Sequence, residues 1–287
     1  MPGHKMKALD GPFMLAFGTG STWRKEDPEA LNTRLIEIVK EALELGYRHL
    51  DTAELYNTER EVGEAIKQSG VPVSEIYITG KVFTMSDIQG AFGRTLQRLG
   101  VDYIDLYLLH YPYFAKSKED LQAAWAELEA IYDSGRVGAI GVSNFTGDHI
   151  ETILETARIR PVCNQVELNP YLPRIQLQEY HKKHGIQTFA FSPLSPIVRA
   201  TPGPLDSELT SIAEKHGIST ALALIRWALQ QDIAVVTTST EKARMKDHLL
   251  ALNASLPPEE VALISKLGAE KHFRGRWNDK FAADDRR

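Results

Sequence analysis

The chain has 287 residues, 43% hydrophobic and 25% charged, a length that suits either two average domains or one α/β barrel with a large core. Its net charge of -5 provides no basic footprint for nucleic acid or an anionic membrane, and its one cysteine, Cys163, excludes an internal disulfide framework. The N-terminus has no signal-peptide apolar core and no run approaches a membrane span, so the sequence predicts a cytoplasmic protein.

In chain order, Asp10-Gly11 lies between two apolar runs, residues 6–9 and 12–15, and predicts a β-hairpin whose second arm ends at Gly18-Thr19-Gly20. Asp27-Pro28 reads as N-cap and first residue of a helix, with Leu31, Leu35, Ile38, Ala42 and Leu45 at helical spacing and Gly46 as its stop. A strand then runs to Ala53. Thr58-Glu59-Arg60-Glu61 and Ser86-Asp87-Ile88-Gln89 have capping-box spacing, each opening a helix, with the strand 76–79 between them. Strands follow over 103–109, 137–142, 162–168, 187–191 and 233–237, each succeeded by helical spacing, and helices over 242–252 and 258–267 close the core. The last four residues, Asp284-Asp285-Arg286-Arg287, read as a frayed end. Eight strands alternating with helices mean a parallel sheet, and within this length they predict one (β/α)8 barrel domain over 1–287, with an N-terminal hairpin and an extra C-terminal helix. A doubly wound open sheet is the competing topology, because spacing alone does not show closure.

Against this layout, Asp51, Lys81, His110, Ser143-Asn144 and Ser192 all fall at the C-terminal ends of strands, and Gln165 lies inside one. In a closed barrel those ends share the face that carries the chemistry. Singly, each residue has an ordinary reading: Asp51 a turn former, Lys81 a surface lysine, His110 a core histidine, Tyr56 a loop tyrosine, Ser143-Asn144 a helix cap. Independent ordinary causes do not predict convergence on one face. Other signals are discounted. Gly18-Thr19-Gly20 fails the dinucleotide fingerprint because Trp23 holds the third glycine position, His181 and His184 fit a solvated helix face better than a metal site, and Cys163 reads as an inert buried thiol.

Tyrosine, lysine, aspartate and histidine together suit proton donation to a carbonyl oxygen. Free tyrosine titrates near pH ~10, and a neighbouring ammonium lowers that by favouring the phenolate. Asp51 would hold Lys81 charged beside Tyr56, and a neutral His110 would orient the carbonyl. With no strong nucleophile and no metal cluster in this set, the acceptor carbon takes hydride from a cofactor.

The run from Gly46 to Tyr56, Gly-Tyr-Arg-His-Leu-Asp-Thr-Ala-Glu-Leu-Tyr, resembles the aldo-keto reductases. So do Leu108-Leu109-His110-Tyr111-Pro112, the run from Gly138 to Phe145, the run from Asn164 to Tyr171, and Phe191-Ser192-Pro193-Leu194, which together span nearly the whole chain. The resemblance implies a (β/α)8 barrel that binds NADP(H) without a Rossmann fold and reduces aldehydes or ketones. It implies catalytic roles for Tyr56, Lys81, Asp51 and His110. It implies nicotinamide contacts at Ser143, Asn144 and Gln165, and stacking on Phe191, where the family carries tyrosine. Further cofactor contacts are implied at Gly18, Thr19, Ser192 and Leu194, and at Thr238, Ser239, Arg244, Asp247 and His248 around the adenosine phosphate. Trp23, Phe83, Tyr111 and, from the tail, Phe273 and Trp277 would wall the substrate pocket.

The departures from the family pattern are specific. Thr237-Thr238-Ser239 replaces a Pro-Lys-Ser common near the 2′-phosphate, which removes one cation and leaves Arg244, with Lys242 and Lys246, to read the phosphate. His248 stands where asparagine is usual, and Tyr111 where tryptophan is common. Thr237-Thr238-Ser239 and the run from Phe191 to Pro196 resemble the fungal and yeast branch that includes conjugated polyketone reductases, which implies cyclic dicarbonyl substrates. The expectation is a monomeric NADP(H)-dependent reductase of small carbonyl compounds. A cofactor-sensing regulatory subunit of the same family, and a barrel enzyme that moves protons without a nucleotide, are the alternatives.

Overall fold

Strands whose two faces are both covered read as continuous apolar runs rather than as alternating ones, and the central strands here are buried along their whole length. In the computed structural model, which describes residues 7–287, the strands are β1 (Leu15–Gly18), β2 (His49–Asp51), β3 (Tyr77–Val82), β4 (Ile104–Leu109), β5 (Val137–Ser143), β6 (Cys163–Glu167), β7 (Gln187–Phe191) and β8 (Ala234–Thr237). They follow one another around a closed barrel in sequence order, so the open doubly wound sheet is not formed. The chain divides into two compact units, Met1–Asn164 and Gln165–Arg287.

In the first unit, parallel register aligns the strand ends. Gly18 pairs with Asp51, Asp51 with Thr79, and Lys81 with Leu108. His110, the residue that follows β4, donates its backbone N–H to Val82 O at 3.1 Å. Alternation along β3 puts Lys81 on the same side as Thr79, one step further along, where a long side chain reaches the carboxylate on β2.

The intervening helices are α1 (Thr33–Leu45), α2 (Glu59–Ser69), α3 (Ile88–Leu99), α4 (Lys118–Asp133) and α5 (Gly147–Leu154). Several of their starts differ from expectation. Asn32, not Asp27, caps α1, accepting from Leu35 N; Asp27 instead accepts from Glu29 N in a turn of its own. Thr58 does precede α2, but its hydroxyl makes no cap: it donates to Thr19 O and contacts Thr19 Oγ1 at 3.1 Å, while Glu61 takes Lys25 and Asn32 N–H. Asp87 caps α3 through Gly90 N, and Gln89 bonds Glu127, so Ser86 opens no box. A capping box does form at α4, between Ser117 and Asp120.

The described residues form no hairpin at Asp10-Gly11; Met6, part of the expected first arm, lies outside them. Gly11 has the positive φ expected (+50°), but Asp10 is extended at φ -144°, and a tight hairpin turn of that type needs positive φ at both positions. Pro12 fixes its own φ and has no N–H for a ladder. Gly11–Met14 is therefore a 3-10 turn, closed by Phe13 N–H on Asp10 O, and it leads straight into β1.

That turn touches the barrel interior through His49. His49 Nδ1 lies 2.7 Å from Phe13 O and Nε2 lies 2.8 Å from Thr79 Oγ1. A carbonyl only accepts, so Nδ1 carries the proton and Nε2 accepts from the threonine hydroxyl. Burial pushes the His49 pKa from 6.5 down to about 4. With the folded value depressed, only the unfolded chain gains this proton as pH falls from about 6.5 toward about 4, and stability is lost across that window. Relative to His49→Gln, the wild type should lose roughly 2 kcal/mol between pH 7 and 5, from 1.36 kcal/mol per pH unit below the unfolded value. Urea titrations at both pH values measure it; parallel losses in the two proteins would remove His49 as the cause.

The second unit carries α6 (Ile175–His184), α7 (Ser195–Val198), α8 (Asp206–His216), α9 (Thr220–Leu229), α10 (Lys242–Leu250) and α11 (Pro258–Gly268). The expected solvated face at His181 is not found: His181 is buried, with Nδ1 2.8 Å from Thr188 Oγ1, while His184 stacks on Tyr180. Nor is the C-terminal end frayed. Arg274 donates to the carbonyls of Asp285 and Arg287, Arg174 donates to Arg287 O, and the Phe281 ring lies 3.8 Å beneath the Arg274 guanidinium. Glu167, at the end of β6, accepts the N–H groups of Gly275 and Arg276 and so fastens the start of this segment. Sequence patterning shows no period here because guanidinium–carbonyl bonds, not an apolar stripe, hold the tail.

Candidate active site

Four of the predicted residues meet in the first unit. β2 ends at Asp51, which is 2% exposed, and β3 carries Lys81, which is fully buried. Lys81 Nζ donates to Asp51 Oδ1 at 2.5 Å and to Thr52 O at 3.0 Å. Two ions removed from water are tolerated only when paired and hydrogen-bonded, and this pair meets that condition. Burial alone would drive the proton off Lys81. The charge of Asp51, then that of Tyr56, and hydrogen bonds to both outweigh it and hold the pKa above the ordinary lysine value. The ammonium lies 5.2 Å from the centroid of the Tyr56 ring.

Tyr56 ends a 3-10 turn, Glu54–Tyr56, closed by Asn57 in the left-handed region. Its ring lies 5.5 Å from that of His110, edge to face at 84°. The opposing support is Gly20: a Cβ there would come within 2.8 Å of Tyr56 Cζ, so the phenol rests directly on backbone. Tyr56 O also accepts Lys25 N–H at 3.0 Å, and Trp23 N–H closes the turn onto Gly20 O. The glycine at position 20 reads as a strand end in sequence; only this close approach reveals its second use.

His110 is buried, and its pKa is driven well below 6.5, by burial first and then by the charges of Lys81 and Arg24. It is neutral at physiological pH and has one N–H to donate. Its Nδ1 has no protein hydrogen-bond partner among the described residues. Phe83 lies 6.1 Å from its ring and 4.8 Å from Tyr111, and Tyr111 packs in turn on Phe114. Trp23, Phe83 and Tyr111 thus stand on the segments that frame the four.

Ser143 and Asn144 leave the end of β5 not as caps but as a polar step. Asn144 adopts φ +64°, and its Nδ2 donates to His110 O at 2.9 Å and to Ser143 Oγ at 3.1 Å. Its Oδ1 is buried without a partner among the described residues. An orphan acceptor of this kind costs free energy unless a donor meets it. Gly18 and Thr19 lie at the end of β1, where Thr19 N–H bonds Asp51 O and its hydroxyl contacts Thr58.

In the second unit, Gln165 is buried within β6 and Phe191 ends β7, partly exposed, with Ser192 at φ +57° and Leu194 just before α7. Beyond β8 come Thr238 and Ser239, whose hydroxyl accepts Glu241 N–H at 3.0 Å. On α10, Arg244 is exposed and lies 3.9 Å from Glu241, a pair of surface charges that holds neither strongly. Asp247 accepts the hydroxyl proton of Ser219, the cap of α9, and His248 is buried with its pKa lowered by desolvation. Trp277 sits in the C-terminal segment at φ +59°.

No group of three or more metal-ligating side chains occurs among the described residues, and no helix there is long and apolar enough to cross a membrane. Cys163 is buried, and burial raises its pKa, as expected of an inert thiol. A groove of about 1050 Å³, lined by Ile36, Ile66, Arg98 and Leu99 among others, includes none of the four convergent residues.

A barrel with this polar set at its strand ends matches known proteins over nearly its whole length. The family model of the Aldo/keto reductase family matches residues 14–269. The chain belongs to the aldo/keto reductase family. It is an oxidoreductase, and relatives named for glyoxal and for alpha-keto amides are reductases of carbonyl compounds. A glyoxal reductase of Bacillus subtilis is 40% identical over 273 residues, covering 93% of each chain. An NADPH-dependent alpha-keto amide reductase of Saccharomyces cerevisiae is 34% identical over 283 residues, covering 93% of this chain and 91% of its own. Among solved structures, a Bombyx mori aldo-keto reductase in complex with NADP superposes with a TM-score of 0.80 at 31% identity, covering 88% of both chains.

Proposed function

We propose that this aldo/keto reductase is an NADP(H)-dependent reductase of vicinal dicarbonyl compounds, working as a single-domain monomer, with Tyr56 as the acid. The observation that carries the reading is the buried Asp51–Lys81 pair, with its ammonium 5.2 Å from the Tyr56 ring and a neutral His110 beside it. When bound, the nicotinamide supplies hydride to the carbonyl carbon. Tyr56 gives its phenolic proton to the oxygen as the carbonyl π bond breaks, and solvent later returns it. Hydride plus proton balance the reduction of C=O to CH–OH. Lys81 stabilises the phenolate left behind, and Asp51 keeps Lys81 charged and aimed. His110 donates one hydrogen bond to the same oxygen, which aligns it without competing for the proton.

The orphan Oδ1 of Asn144, next to Ser143, supports a carboxamide-bearing cofactor. Preference for the phosphorylated nucleotide is supported by the exposed guanidinium of Arg244, flanked by Lys242 and Lys246, and by the NADPH and NADP in the names of two similar proteins. Dicarbonyl substrates are supported by two relatives named for compounds with adjacent carbonyls, glyoxal and alpha-keto amides. The yeast relative, at 34% identity, also supports the fungal branch.

The test follows NADPH absorbance across aldehydes, simple ketones, open and cyclic dicarbonyls and cyclic imines, with NADH in parallel. Dicarbonyls should turn over fastest; no turnover on any carbonyl would overturn the reading. Arg244→Ala should weaken NADPH about tenfold, the loss of one charge-assisted contact, and leave NADH unchanged. An equal loss for both nucleotides would show that Arg244 does not read the 2′-phosphate.

A further inference from the structure

The turn that ends in the acid begins with a carboxylate that the proposed chemistry leaves unused. Glu54 lies two residues before Tyr56, and its side chain is little exposed. Its Oε2 accepts the backbone N–H of Phe83 at 2.9 Å and of Thr84 at 2.8 Å, and its Oε1 accepts the Thr84 hydroxyl at 2.9 Å. Arg94 of α3 stands 3.6 Å from Oε1 and bonds Asp87, the cap of the same helix. Three donors and a cation meet on this one carboxylate.

Phe83 and Thr84 follow the end of β3, two and three residues after Lys81, so they lead the chain away from the catalytic strand end. Backbone N–H groups at such a point need an acceptor, and ordinarily a loop finds water. Here the acceptor is carried by the turn of Tyr56 itself. The carboxylate therefore joins the segment holding the acid to the segment holding Phe83, whose ring faces Tyr111 at 4.8 Å and His110 at 6.1 Å. A charged acceptor makes these bonds stronger than neutral ones, and the geometry of two adjacent N–H groups on one oxygen fixes the direction in which the chain leaves β3.

We infer that Glu54 is a positioning residue that clamps the Phe83–Thr84 segment to the turn of Tyr56 and thereby holds the apolar wall against which bulky carbonyl substrates pack. The inference rests on the reductase reading for its effect on substrates; the clamp itself does not. Glu54→Ala should raise KM about tenfold for an aryl dicarbonyl such as 1-phenyl-1,2-propanedione, which needs the wall, and change kcat and the NADPH Kd by less than about threefold. For glyoxal, too small to reach the wall, KM should move less than about threefold. Glu54→Gln keeps one amide oxygen for the two N–H groups and should restore most of the loss. In a Phe83→Ala background, Glu54→Ala should have no further effect on KM, because the wall it holds is gone. Independently of activity, amide hydrogen exchange at Phe83 and Thr84 should quicken at least about tenfold in Glu54→Ala, with the amides of β4 unchanged. Unchanged exchange would remove the clamp. A KM effect that persists in Phe83→Ala, or that falls equally on glyoxal and the aryl substrate, would remove its role in selectivity. A wild type inert toward every carbonyl sinks the reductase reading, and the exchange result still decides the clamp.

Discussion

Tyr56→Phe should lower kcat for dicarbonyl reduction by about 10²- to 10⁴-fold, the range lost when a positioned acid is removed, with no change in NADPH affinity. The substitution deletes one oxygen and keeps the ring. The ring lies on Gly20 and 5.5 Å from His110, and the backbone carbonyl takes Lys25 N–H; none of these needs the hydroxyl, and the hydroxyl's hydrogen bond to Lys81 is the contact given up. Folding should therefore be preserved, and the loss should lie in the proton transfer alone. Absorbance kinetics give kcat, and quenching of protein fluorescence by NADPH gives the cofactor Kd in the same variant. Turnover within about tenfold of wild type would mean that another group supplies the proton, and His110 would be the residue to test next.

Lys81→Met should cost both activity and stability, for separable reasons. It leaves the Asp51 carboxylate 2% exposed with its cation gone. Breaking a buried pair in this way typically costs about 3–5 kcal/mol, because the surviving charge stays buried. Activity should fall at least about 100-fold, since nothing then favours the phenolate that forms as the proton leaves. Asp51→Asn combined with Lys81→Met removes the stranded charge. The double variant should recover most of the stability, since an uncharged replacement of a buried pair is often nearly neutral, and none of the activity. Urea unfolding and steady-state kinetics on the three proteins separate the two effects. Recovery of turnover in the double variant would show that the ammonium is not needed beside Tyr56.

The correspondence between sequence and structure has a physical pattern. The strands were legible because a sheet covered on both faces writes long apolar runs separated by helical spacing, and eight such units in this length favoured a barrel, while closure itself was decided by the structure. The convergence of Asp51, Lys81 and His110 was legible for a related reason: each polar residue stands at the C-terminal end of an apolar run, whereas Tyr56 lies in the turn beyond β2 and came with the family motif. The helix starts were legible only roughly. Thr58 has the spacing of a cap, yet its hydroxyl goes to Thr19, and Asp27 has the right neighbour in Pro28 yet closes only a local turn. A side chain that can cap can equally bond a distant group, and local sequence does not say which partner arrives first.

Asp10-Gly11 shows the same limit, since the following Pro12 denies the ladder a donor and the turn becomes 3-10. The buried His181 and the anchored tail show it again. What the amino-acid order determined alone was the alternation of elements, the family, and which ionisable groups end the strands, because these depend on periodicity and on short contiguous runs. What only the tertiary structure decided was that Gly20 is the floor of Tyr56, that Asn144 presents an unsatisfied oxygen, and that Glu54 holds Phe83. Each of those is a contact between residues about 30 positions apart or a vacancy left by such contacts. No local pattern encodes them, because chain closure over that distance brings together side chains that never constrain one another in the unfolded sequence.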